Sequence, residues 1–139
     1  SADMVSAARL LNSDLVNQQR AIFHQGDALQ MPFTDNAFDK ILSVHTLYFW
    51  KDPTGVLTEV ARLLKPGGLF CLAWGDQSFM EKLPFTAYGF TLHGIASVQS
   101  LLSTAGMAIT CHTEVVERGL SNTGEQVDKV IHIILCRKI

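Results

Sequence analysis

A doubly wound α/β fold, with a mainly parallel sheet closed by a C-terminal antiparallel hairpin, is the class this sequence predicts. Three observations point to it. Short apolar runs alternate with helix-period patterns along most of the chain, the order that βαβ units produce. The run Leu69-Phe70-Cys71-Leu72-Ala73-Trp74 is apolar without alternation, as a strand covered on both faces is. The last two apolar runs are joined by RGLSNTGEQVDK, too short for a helical crossover, so they should pair antiparallel.

Each element has a local reason. From Asp3 to Leu11 the spacing of Met4, Ala7, Ala8 and Leu11 predicts a short helix, with Ser1 where an N-cap belongs. Ala21–Gln25 reads as a strand ended by Gly26-Asp27, and residues 28–38 as a loop with turns at Pro32 and Asp35-Asn36. Asp39–Val44 is the next strand. Asp52-Pro53 offers an N-cap followed by proline at the first helical position. Val56, Leu57, Val60, Ala61, Leu63 and Leu64 then form one apolar face. Pro66 drives Lys65 out of the α region and ends that helix near Leu64, while Gly67 can take the positive φ that a type II turn needs. Gly75–Gly94 reads as a long irregular stretch. A helix is predicted over 96–105 with Gly106 as its cap, then strands at Ile109–Glu117 and Val130–Cys136.

Composition narrows the function. The 139 residues are 47% hydrophobic and 17% charged, with a net charge of −2. That describes one folded domain over 1–139 and leaves no electrostatic footprint for nucleic acid or an anionic membrane. Cys71, Cys111 and Cys136 sit in apolar runs without metal-ligand spacing. Buried free thiols in a reducing cytoplasm, and no metal, are expected. No apolar run approaches the roughly 18 residues of a membrane span.

Doubly wound sheets bind ligands outside the carboxyl ends of their strands. One such end carries Asp27, whose carboxylate can accept hydrogen bonds from an amino group or cap its own turn. The other carries His45, Thr46, Tyr48, Phe49 and Trp50, which can line a pocket or serve only as packing residues.

Four stretches, SADM, GDALQMPFTDNAFDKILSVHTLYFW, DPTGVLTEVARLLKPGGLF and SVQSLLSTAGM, in this order and spacing, closely resemble class I S-adenosylmethionine-dependent methyltransferases of the small-molecule type. The resemblance runs over essentially the whole chain and implies a Rossmann-like sheet. It implies S-adenosylmethionine as cofactor, with S-adenosylhomocysteine as product and a small-molecule methyl acceptor as partner. On the matching positions, Asp27 would accept from the adenine amino group, beside the backbone of Ala28 and Leu29. Met4 would pack near the adenine and His45 would border the methionine portion. Thr46, Tyr48 and Trp50 would lie towards the acceptor, His45 and Tyr48 would be the candidate bases, and Gly75–Gly94 would lid the acceptor site.

One departure stands out. The family's glycine-rich loop after its first strand, and the acid that ends its second, have no counterpart in these 139 residues. The expectation is therefore a chain holding the C-terminal two-thirds of a methyltransferase domain, inactive alone, with the N-terminal strands of the fold absent. Such a chain should need a second copy or a separate N-terminal segment to be stable. The alternative is a non-enzymatic truncated domain persisting as a dimer or remnant. A nicotinamide oxidoreductase is disfavoured by the absence of G-x-G-x-x-G, and a hydrolase by the absence of G-x-S-x-G.

Overall fold

Ser1 does cap the first helix. In the computed structural model, which describes residues 1–121 and 123–139, its side chain accepts a hydrogen bond from the Met4 N–H at 3.3 Å at the start of α1 (Ala2–Leu11). The described residues fall into two compact units, Ser1–Pro32 and Phe33–Ile139.

In the first unit a short α2 (Ser13–Asn17) follows α1 directly, an element the sequence pattern had not marked. The apolar stripe of α1 is uncovered: Met4 is 70% and Leu11 84% exposed, and no residue of the helix is buried. The strand expected at Ala21–Gln25 does not form. A strand exists only where a neighbour takes up its backbone groups, and here local partners do so instead. The Arg20 and Ala21 N–H groups both turn back to the Leu15 carbonyl, at 2.8 and 3.2 Å. The Phe23 carbonyl is taken by the Arg9 guanidinium at 2.8 Å. The chain then closes a turn at Asp27–Gln30.

The second unit contains a four-stranded sheet. Strand β1 (Phe38–Val44) leads through α3 (Pro53–Leu63) into β2 (Leu64–Gly75), the βαβ crossover expected from the turn sequence. The short α4 (Gln77–Met80), α5 (Ile95–Thr104), β3 (Met107–Leu120) and β4 (Gln126–Lys138) follow. The strand order is β1-β2-β4-β3, so the sheet is mixed, with β1–β2 parallel and β2–β4 and β4–β3 antiparallel. Both hairpin strands run longer than their apolar cores suggested, because polar residues near the tip still keep the ladder. The stretch expected to be irregular carries α4 and a 3-10 turn at Pro84–Ala87.

Helix α3 starts as its sequence dictates, with Asp52 Oδ1 accepting from the Gly55 N–H at 2.9 Å and Pro53 in the first turn. Near its end Arg62 binds both oxygens of Glu59 at 2.7 Å, Asp35 at 2.6 Å and the Phe33 carbonyl at 3.0 Å. That clamp holds the 33–35 loop against the helix. Glu59 first, and Asp35 with it, keep the guanidinium ionised well above its ordinary range.

The core lies on one face of the sheet. Phe70, Leu72 and Trp74 alternate along β2, and their register partners on β4 are Cys136, Ile134 and His132. All six are buried under a layer formed by Val56, Leu57, Val60 and Leu63 of α3 and Val98 and Leu102 of α5. Full burial of such side chains contributes about 1.5–3 kcal/mol each, so this layer supplies most of the driving force for the second unit. The other face, also expected to be covered, is thinner: Leu69, Cys71, Ile133 and Leu135 are half-buried. On β1, Leu42 and Val44 are 67% and 47% exposed, and among the described residues no strand pairs with the outer edge. The cysteines divide accordingly, with Cys136 buried, Cys71 half-buried and Cys111 exposed, all free. Cys111 departs from the expected burial because β3 is the outermost strand and is exposed along nearly its whole length.

Gly67 adopts φ +74°, as the turn requires, and a Cβ there would meet nothing within 4 Å. Gly68 is tight for a different reason, since its Cβ would lie 2.8 Å from the Lys65 carbonyl oxygen. We expect Gly67→Val to cost about 1–3 kcal/mol through backbone strain alone, read as a lower urea midpoint with unchanged slope. A variant whose midpoint held while ligand binding fell would place Lys65–Gly68 in the site.

Candidate active site

The carboxyl ends of the parallel pair β1–β2 converge on one short turn. Immediately after β1, His45 takes φ +54°, a left-handed conformation that a non-glycine residue adopts at a cost. Its N–H still donates to the Ala73 carbonyl of β2 at 2.9 Å, so the strand pairing reaches one residue past β1. This twist turns the next residues into a 3-10 turn, Leu47–Phe49, in which Leu47 and Tyr48 are buried.

The Tyr48 hydroxyl accepts a short hydrogen bond from the Gly75 N–H at the end of β2. It also lies 3.1 Å from His45 Nδ1, with the two rings stacked at 6.3 Å. The Gly75 N–H takes one lone pair of the phenolic oxygen and the other is open to Nδ1–H, the tautomer in which Nε2 of the exposed His45 imidazole carries a free lone pair. Burial pushes the Tyr48 phenol above its usual value, and the Gly75 contact only partly opposes this. The phenol therefore stays protonated at neutral pH. Thr46 and Ser43 share a hydroxyl–hydroxyl contact of 2.5 Å, and Trp50 sits half-buried, its N–H donating to the Leu47 carbonyl at 3.2 Å. The structure thus places His45, Thr46, Tyr48 and Trp50 on one turn, with a side-chain contact between His45 and Tyr48.

Met4, Asp27, Ala28 and Leu29 belong to the first unit. Asp27 Oδ1 accepts from the Leu29 N–H at 3.0 Å, and its carbonyl accepts from Gln30 N–H at 3.1 Å. Its turn-capping role is therefore present. The carboxylate remains exposed at the surface, Ala28 is half-buried, and Leu29 is 43% exposed.

Sequence reasoning missed a row of three ionisable groups. His132 Nε2 lies 2.9 Å from Asp76 Oδ2, and His132 Nδ1 lies 3.1 Å from His112 Nε2, with Glu114 3.9 Å away. His132 is 4% exposed and packs beside Trp74, ring centroids 5.0 Å apart. With Asp76 taking the Nε2 proton, Nδ1 is left to accept from His112. Asp76 also caps α4 by accepting from the Ser78 N–H at 2.8 Å. Burial pushes the Asp76 carboxyl up, but the bonds from Ser78 and His132 outweigh it and leave the pKa below the usual carboxylate range. The signal for this row was hairpin register: β3 and β4 pair His132 with Glu114 and Ile134 with His112, so all four share the core face. That register depends on where the turn falls, which the polar linker obscures.

Two further features frame the turn. Phe90 contacts Tyr48, Phe49 and Phe85 at centroid distances of 5.7, 4.8 and 5.6 Å. His93 is buried with its carbonyl accepting from Trp74 Nε1 at 3.0 Å, while its Nε2 has no hydrogen-bond partner among the described residues. Burial pushes the His93 pKa down and keeps the ring neutral.

Comparison with known proteins identifies the family and the fold. Residues 1–72 match the methyltransferase domain family. Sterol 24-C-methyltransferase of Pneumocystis carinii (strain B80) is 48% identical over 48 residues, covering 34% of this chain and 13% of that protein. Fatty-acid O-methyltransferase of Mycolicibacterium smegmatis (strain ATCC 700084 / mc(2)155) is 43% identical over 67 residues, 43% of this chain and 24% of that one. The solved structure of a candidate methyltransferase from Bacillus halodurans C-125 superposes with a TM-score of 0.83 at 16% identity, covering 99% of this chain and 80% of that one. The Rossmann-like mixed sheet, with its parallel crossover and antiparallel hairpin, is the fold of the class I methyltransferase structures it superposes on. The chain belongs to the S-adenosylmethionine-dependent methyltransferase family, and it spans a quarter or less of the two curated relatives' lengths.

The Asp76–His132 pair sets a pH dependence. Asp76 has a folded pKa below its unfolded value of 3.8, so its contribution is fully present above that value and is lost as pH falls through the lower, folded one. Asp76→Asn should therefore lower stability at neutral pH, by about 1–3 kcal/mol for an unpaired buried partner, and flatten the loss below about pH 4. Urea titrations at several pH values read both effects. Parallel acid limbs in the two proteins would remove Asp76 from this role.

Tyr48→Phe gives a second test. It strands the Gly75 N–H in a buried position and should lower stability by about 1–3 kcal/mol, measured by thermal melting.

Proposed function

We propose that this chain carries part of the cofactor and acceptor surfaces of an enzyme that moves a methyl group from S-adenosylmethionine to a small-molecule acceptor, leaving S-adenosylhomocysteine, and that 1–139 forms one domain in the assembled enzyme. The observation that carries this is the His45–Tyr48–Gly75 constellation, built at the carboxyl ends of two parallel strands and held in place by a positive φ at His45. In doubly wound sheets that is where ligands bind.

The residues fit the cofactor. An exposed carboxylate on a tight turn, Asp27, suits an adenine amino group, and the neighbouring backbone of Ala28 and Leu29 and the exposed Met4 side chain suit the ring. His45 suits the methionine portion. When bound, the cofactor supplies an electrophilic methyl group, and in-line transfer depends chiefly on positioning. Thr46, Tyr48 and Trp50 face the acceptor in this reading. For an acceptor that must lose a proton, His45 is the base, its Nε2 outward. Tyr48 orients it by accepting from Nδ1–H, the tautomer that leaves Nε2 unprotonated, while the phenol, held protonated by burial, is not itself the base. The relatives that act on a sterol and a fatty acid support a small-molecule acceptor.

The open outer edge of β1 supports association with a second copy or another polypeptide, since unpaired strand edges seek partners. The three free thiols support a reducing, cytoplasmic setting.

Calorimetric titration with S-adenosylmethionine and S-adenosylhomocysteine tests the reading. Binding is expected, and Asp27→Ala should weaken it by about 1–3 kcal/mol, roughly 5- to 150-fold. Unchanged affinity would confine Asp27 to its turn. No heat of binding for the unaltered chain would favour the non-enzymatic alternative.

A further inference from the structure

We propose that the groove between the Pro84–Ala87 turn and the tip of the β3–β4 hairpin holds an alkyl chain of the methyl acceptor. The proposal rests on the methyl-transfer reading for the word acceptor, and on the groove's own shape and chemistry for the chain.

The groove is a cavity of about 540 Å³, within the usual range for small-molecule sites. Leu83, Pro84 and Phe85 contribute one side and Val127 of β4 the other, together with Lys82, Ser121, Thr123 and Glu125. Most of the lining surface is hydrocarbon, the Ser121 and Thr123 hydroxyls bond each other at 2.7 Å, and the two charges are of opposite sign. A densely charged ligand finds no complementary field there, whereas an apolar chain can lie inside without leaving a polar group unpaired.

Continuity connects this groove to the chemistry. Phe85, which lines it, touches Phe90, and Phe90 touches both Phe49 and Tyr48. Tyr48 is hydrogen-bonded to His45. Aromatic contacts therefore run unbroken from the groove through the half-buried Phe90 to the exposed Phe49 and to the buried Tyr48 behind the imidazole. Two rings of this aromatic wall remain open to water, Phe49 at 57% and Phe85 at 41% exposure. Exposed apolar rings joined into one contiguous patch, as these two are through Phe90, are where apolar ligands bind. A ligand lying along the wall would cover both rings and place its polar end beside His45. A chain suits this better than a compact polar metabolite, because only an elongated apolar body contacts groove and wall together.

The test is calorimetric titration of the full 139-residue chain with 1-hexanol, 1-octanol and 1-decanol. Affinity should rise roughly fourfold for each added methylene, the factor expected for one buried CH₂, with saturation at one molecule per chain. Val127→Trp, which fills the groove, and Phe85→Ala, which removes its wall, should each weaken 1-decanol binding at least about tenfold, more than one lost methylene explains. Either variant suffices if the other does not fold. Val116→Trp serves as control, placed on β3 at a position already 53% exposed, and should bind as the unaltered chain does. Affinity independent of chain length would overturn the proposal, as would groove variants that bind normally or a control that fails equally. Parallel titration with S-adenosylmethionine keeps the two readings apart. Cofactor binding with flat alkanol affinity refutes the groove alone, and length-dependent alkanol binding without cofactor binding refutes methyl transfer alone.

Discussion

Strand β2 is hydrogen-bonded on both sides, parallel to β1 through Lys40–Val44 and antiparallel to β4 through Arg137–Ile131. Its register sets the positions of everything else in the second unit. On one side it brings Ala73 level with Val44, so that the His45 N–H can reach the Ala73 carbonyl and the chain turns sharply there. On the other it sets Trp74 opposite His132, which brings the Asp76 carboxylate to the imidazole two residues later. The same strand buries Phe70, Leu72 and Trp74 on one face, so a slip of one residue would expose all three and scatter both polar clusters at once.

The register is held at the entry to the strand. Lys65-Pro66-Gly67-Gly68 loops out of the pairing between Phe38–Leu64 and Lys40–Leu69, absorbing four residues on β2 against one on β1. Pro66 and the left-handed Gly67 make that excursion a defined turn with few alternatives. Lys65 reaches back to Asp39 at 2.8 Å, an exposed ion pair whose worth lies in position more than in energy. The close approach of Gly68 to the Lys65 and Asp39 carbonyls leaves room for no side chain. The abrupt helix stop and the polar turn at the far end of the sheet are therefore two ends of one constraint.

At the carboxyl ends, backbone strain and side-chain bonding support each other. A left-handed histidine is unfavourable alone, but Tyr48 ties it to Gly75, and the Thr91 N–H donates to the Tyr48 carbonyl at 2.9 Å. The segment after α4 is thus fastened to the turn it borders. Strained residues held by surrounding structure are typical of places where geometry serves a ligand, and the aromatic wall around Phe90 extends that geometry outward.

Local chemistry determined a large part of this protein from sequence alone. The Asp52-Pro53 helix start, the stop before Pro66, the positive φ of Gly67, the β1–α3–β2 crossover and the antiparallel hairpin all follow from residues within a few positions of one another. The ordered motifs that mark the family are likewise local runs. What tertiary structure decided are matters of partnership. Ala21–Gln25 has a strand's composition, yet local bonds to Leu15 and Arg9 take its polar groups instead. Met4 and Leu11 have helix-face spacing, yet remain exposed because spacing says which side is apolar and not what covers it. Asp76, His112 and His132 carry no motif, and the registers of β4 with β2 on one side and with β3 over thirteen pairs on the other bring them into a row.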